Sequence, residues 1–97
     1  MTPQQILSTL TNALRNADFV VHDNDDDLTP SPFPGDAIAY IYRDQVELYL
    51  VKGSLHDGLK PDMAADRAAA AIDAAGLNAG PDPASALLTG RVVVTAS

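Results

Sequence analysis

Apolar side chains recur along residues 6–17 at the spacing of one helical face. Ile6, Leu7, Leu10, Ala13, Leu14 and Ala17 alternate with Gln4, Ser8, Thr11, Asn12 and Arg15 on the other side. Thr2-Pro3-Gln4-Gln5 supplies a helix start. A Thr side chain at the N-cap accepts a bond from an amide one turn on, Pro at the first helical position sacrifices no hydrogen bond, and Gln5 reaches back to close a capping box. The pattern predicts an amphipathic helix of about four turns that ends near Asn16-Ala17-Asp18. Phe19-Val20-Val21-His22 then reads as a short strand, stopped by Asp23-Asn24-Asp25-Asp26-Asp27.

Prolines at 30, 32 and 34 lack amide donors and bias their predecessors to extended geometry. The segment around them reads as an extended arm or loop at about 23–36, with Phe33 as its one large apolar side chain. Two clear strands follow, Ala37–Tyr42 and Val46–Val51, joined by Arg43-Asp44-Gln45 as a tight hairpin. With all three linking residues in the loop, Ile38, Tyr40, Tyr42, Val46, Leu48 and Leu50 share one face; Ala37, Ala39, Ile41, Glu47, Tyr49 and Val51 share the other. A two-residue loop changes these partners. Under either register both faces are mostly apolar, unlike an antiparallel sheet with one wet face.

Lys52 to Lys60 reads as a polar loop, and Pro61 opens a second helix from Asp62 to about Ala75, with Gly76 as its stop. Its apolar surface is largely Ala65, Ala68, Ala69 and Ile72, small side chains that let a helix lie close to a sheet. Residues 78–85, with Gly80, Pro81 and Pro83, read as a turn-rich connection, and Arg91–Thr95 as a final strand. The order α-β-β-β-α-β predicts a single α+β domain over residues 1–97: a small antiparallel or mixed β-sheet packed by two helices.

Composition sharpens this picture. The 97 residues are 46% hydrophobic and 20% charged, a globular balance. Sixteen of them are alanine, so the core relies on close backbone approach more than on bulk. There is no Cys, which removes disulfides, thiolate catalysis and Cys-based metal sites. Thirteen acids against six bases give a net charge of −7, and the bases are scattered. A phosphate-binding surface needs clustered Lys and Arg, so the reading excludes nucleic acid and anionic membranes as partners. No apolar run approaches the ~20 residues of a membrane span. The N-terminus lacks a signal-peptide core, and the expectation is an intracellular chain or part of an intracellularly built particle.

Candidate chemistry is sparse. No phosphate-binding, dinucleotide, zinc-protease or serine-nucleophile motif stands in the sequence, and nothing places a serine beside His22-Asp23 or His56-Asp57. Asp23, Asp25 and Asp27 match the first three ligand positions of a calcium loop. The match then fails: Leu28 stands where the sharp turn wants Gly, and Pro34 where the bidentate Glu belongs. A solvated acidic turn is preferred over a metal site, and no cofactor is expected. Tyr40, Tyr42 and Tyr49 suit cross-strand aromatic packing beneath a helix better than base stacking, since no basic groove accompanies them. Phe33 amid its prolines either plugs the small core or inserts into a partner.

The succession of the helix Ile6–Ala17, the strand Phe19–His22, Pro30-Ser31-Pro32-Phe33-Pro34 leading into Ala37–Tyr42, then Val46–Leu50, Ala64–Ala75 and Val92-Val93-Val94 resembles the small tail-terminator or tail-completion proteins of long-tailed bacteriophages. These form a ring between tail tube and head connector. The resemblance is one of element order. It implies a non-enzymatic assembly protein that self-associates and docks another structural protein, in the virion or host cytoplasm; outside that family the expected compartment is cytoplasmic. The interface candidates are Pro30, Pro32, Phe33, Pro34 and Tyr49. The alternative is a small acidic monomeric regulatory or inhibitor protein that binds one host protein through the acidic loop.

Overall fold

The computed structural model describes residues 2–22, 35–51 and 61–96. Helix α1 (Pro3–Asn16) begins at the capping box read from the sequence: the Gln5 amide donates to Thr2 Oγ1 at 3.2 Å, and the Thr2 amide donates to Gln5 Oε1 at 2.9 Å. Ile6, Leu10 and Leu14, one turn apart, are its buried residues. Asp18 then takes a left-handed conformation, φ 70°, its amide bonded to the Arg15 carbonyl at 3.0 Å. This reverses the chain into strand β1 (Phe19–His22), whose Phe19 enters the core.

Strands β2 (Gly35–Tyr42) and β3 (Gln45–Val51) form the hairpin, but with Arg43-Asp44 alone as the turn. Both turn residues have positive φ, 51° and 64°, the handedness that matches the twist of the flanking strands. Tyr42 therefore pairs with Gln45, Ile41 with Val46, Tyr40 with Glu47 and Ala39 with Leu48. This corrects the three-residue loop and re-sorts the faces. Ala37, Ala39, Val46, Leu48 and Leu50 now share one side, and Ile38, Tyr40, Tyr42, Glu47 and Tyr49 the other.

Helix α2 (Pro61–Ala74) buries Ala64, Ala65, Ala68 and Ile72. Gly76, φ 74°, follows it and admits the left-handed turn into β4 (Leu77–Asn78), a two-residue strand. The expectation of two helices is wrong: a third, α3 (Pro83–Thr89), begins within the stretch read as a turn-rich connection and runs beyond it. Asp82 is its N-cap, accepting from the Ser85 amide at 3.3 Å; Pro83 is its first residue and Leu87 its buried anchor. Prolines that break a helix interior are at home at its first position. Strand β5 (Arg91–Ala96) ends the described chain.

The sheet is five-stranded and mixed, in the order β1-β2-β3-β5-β4. β1 runs parallel to β2 and every other neighbour is antiparallel. The core unites Ile6, Leu10 and Leu14, the α2 alanines and Ile72, and Leu87 with Ala37, Ala39, Val46, Leu48, Leu50, Val92 and Val94. All of these strand residues have the parity of Ala37, so the three helices cover one side of the sheet. Each fully buried Leu or Ile contributes about 1.5–3 kcal/mol; the alanines contribute by letting α2 approach.

Candidate interaction face of the sheet

The opposite side of the sheet carries no helix among the described residues. Register assigns it three rows: His22, Ile38, Tyr49 and Arg91; then Tyr40, Glu47 and Val93; then Tyr42 and Gln45. Tyr40, Glu47 and Arg91 form a triad across three strands. The Tyr40 hydroxyl donates to Glu47 Oε1 at 2.8 Å, and Arg91 Nη1 donates to the same carboxylate oxygen at 3.1 Å and to the Tyr40 oxygen at 2.9 Å. The partners differ sharply in exposure: the Glu47 side chain is 10% exposed and that of Arg91 64%. A buried carboxylate thus holds an exposed guanidinium in place. The Tyr40 hydrogen bond, with the Glu47 carboxylate beside it, pushes the Arg91 pKa up, and Arg91 is a cation throughout the working pH range.

Aromatic rings extend the face. Tyr40 and Tyr49 meet edge to face, centroids 6.3 Å apart at 76°, the arrangement their quadrupoles favour. The Arg43 guanidinium lies 5.2 Å from the Tyr42 ring centre. Tyr42 is 51% exposed, Val93 40% and Val20 39%. The tyrosines do pack across strands, but no described helix lies over them. Packing beneath a helix is therefore not seen among the described residues, while the two-residue turn puts Tyr49 on the side of Tyr40 and Tyr42.

Of the interface candidates, Tyr49 stands on this face, half-buried and in contact with Tyr40. Pro30, Pro32, Phe33 and Pro34, and the acidic candidates Asp23, Asp25 and Asp27, lie outside the described residues. Among the described residues no group of three or more His, Asp or Glu is placed to hold a metal ion, and no helix is long and apolar enough to cross a membrane. An open groove of about 390 Å³ between α1 and the hairpin end is lined by Leu7, Ser8, Thr11, Arg15 and Ile41, among others; it pairs no acid with a base. Sequence reasoning missed the partnership of Glu47 with Arg91, 44 positions apart. The signal available was a lone Glu between Val46 and Leu48, where a carboxylate requires a partner.

No protein-family model matches the chain, nor does any curated protein or solved structure.

Proposed function

We propose that this chain is a non-enzymatic assembly protein that acts by self-association and by docking a second structural protein. The observation that carries the reading is the one-sidedness of the sheet: three helices cover one side, while the other presents Tyr42, Val93 and Arg91 around the buried Ile38 and Glu47. Tyr and Arg are the residues most enriched where protein interfaces concentrate their binding energy. An anchored Arg beside exposed rings is a surface made for another protein, and the occupant assigned to it is a second copy.

In its finer form the proposal is a closed ring at a virion neck, as the resemblance to tail-terminator proteins implies. Sedimentation velocity with multi-angle light scattering over a wide concentration range is the test, and the expected result is mass action from monomer to oligomer. A chain that stays monomeric at the highest concentration overturns self-association. Electron microscopy of the assembled species decides the finer form: closed rings support it, and open chains or simple dimers overturn it.

A further inference from the structure

The self-association reading leaves open which surface meets the Tyr/Arg face. The geometry points to a head-to-tail contact in which Arg91, Arg43 and Tyr42 of one copy receive the outer stripe of α2 of the next. This rests on the self-association reading and specifies its junction.

Helical positions advance about 100° per residue. Asp62, Asp66 and Asp73 therefore fall on one narrow stripe, with exposed Met63 and Ala70 flanking it. The stripe points away from the sheet, because Ala64, Ala65, Ala68 and Ile72 occupy the inward side. Three carboxylates and a 47% exposed Met63 make an acidic surface with an apolar flank, beyond which the exposed Arg67 marks its far edge. On the helix-free face two cations stand apart, Arg43 in the hairpin turn beside Asp44 and Arg91 in the row of Tyr49. Arg43 lies over Tyr42, and Arg91 has its Nη1 committed to Tyr40 and Glu47. Guanidinium carries five donors, and among the described residues only Nη1 is engaged, which leaves the Nη2 and Nε edge of Arg91 for an incoming carboxylate. Glu47 does not compete: it is buried and occupied. Arg91 is thus pre-organised for bidentate carboxylate recognition, while Tyr42 and Val93 match Met63 and Ala70.

The two surfaces lie on opposite sides of the molecule. A contact between them is heterologous: it leaves one copy of each surface free at the ends, so it propagates until it closes. An isologous dimer through the Tyr/Arg face alone would set two surfaces that each carry Arg43 and Arg91 against each other and leave the acidic stripe unused.

Charge reversal tests the junction. The helix variant is Asp66→Arg with Asp73→Arg, both exposed; the face variant is Arg43→Glu with Arg91→Gln, which avoids setting a second carboxylate beside Glu47. Circular dichroism checks that each is folded. The expected result is that either variant alone self-associates at least about tenfold more weakly than the parent, the scale of a desolvated interfacial charge pair. Mixed at equal ratio, they re-associate as an alternating assembly, since each then offers the other a complementary surface at both junctions. A helix variant that associates as tightly as the parent, or a mixture no tighter than its components, overturns the head-to-tail junction and leaves self-association standing. A parent chain that is monomeric throughout overturns self-association itself.

Discussion

Replacing Tyr40 by Phe deletes one oxygen and isolates the triad energetically. The ring stays edge-on to Tyr49, so apolar packing is retained. What is lost is the 2.8 Å bond to a carboxylate whose side chain is only 10% exposed, together with the acceptor for Arg91 Nη1. Hydrogen bonds to charged groups contribute ~1.5–3 kcal/mol, and a buried polar group left unmatched costs more. Glu47 keeps its direct bond to Arg91 at 3.1 Å, so the lower end applies, about 1.5 kcal/mol. At roughly 4–8 °C per kcal/mol for a domain of this size, Tyr40→Phe lowers Tm by about 6–12 °C. The assay is urea unfolding followed by far-UV circular dichroism, with Tyr40→Phe, Arg91→Met and the double variant in a thermodynamic cycle. The effects should depart from additivity, because the two side chains donate to one carboxylate oxygen and are bonded to each other. A Tyr40→Phe protein within about 0.3 kcal/mol of the parent, or strict additivity, refutes the claim that the buried carboxylate is held by two donors.

Two further substitutions probe the features that set the faces. Arg43→Asn with Asp44→Gly relieves two non-glycine residues of positive φ and stabilises by about 0.5–1 kcal/mol even after loss of the Arg43–Tyr42 contact; a fall in the urea midpoint contradicts the assigned turn. Ala68→Leu forces a larger side chain between α2 and the sheet at a fully buried position and costs about 1–3 kcal/mol. Exposed Ala70→Leu should be near neutral, so equal losses for the two would show that helix propensity, not close approach, is being measured.

What the sequence disclosed follows from how local each determinant is. Helix α1 was legible to its ends because cap, proline and apolar spacing lie within the same few residues. The hairpin was legible as a pair of strands but not in register, since Arg-Asp is an unusual occupant of a turn that favours Asn-Gly. Helix α3 was obscured by Pro81 and Pro83, read as breakers, although Asp82 followed by Pro83 is equally a cap and first turn. Strand β4, two residues long, has too little sequence to carry a period. The candidate face was legible in its tyrosines and not in its charge. Arg91 reaches Tyr40 from 51 positions away, a proximity created only by the placement of β5 beside β3.

That placement also fixes the order in which a newly made chain becomes competent. β5 follows every other described element in sequence, yet it sits inside the sheet, between β3 and β4. A nascent chain emerging at ~5–20 residues per second leaves the flank of β3 uncovered until residues 91–96 arrive. Val92 and Val94 then complete the interior, and in the same step Val93 and Arg91 complete the outer surface. Completion of the core and completion of the Tyr40–Glu47–Arg91 cluster are therefore one event: a chain without residues 91–96 has neither.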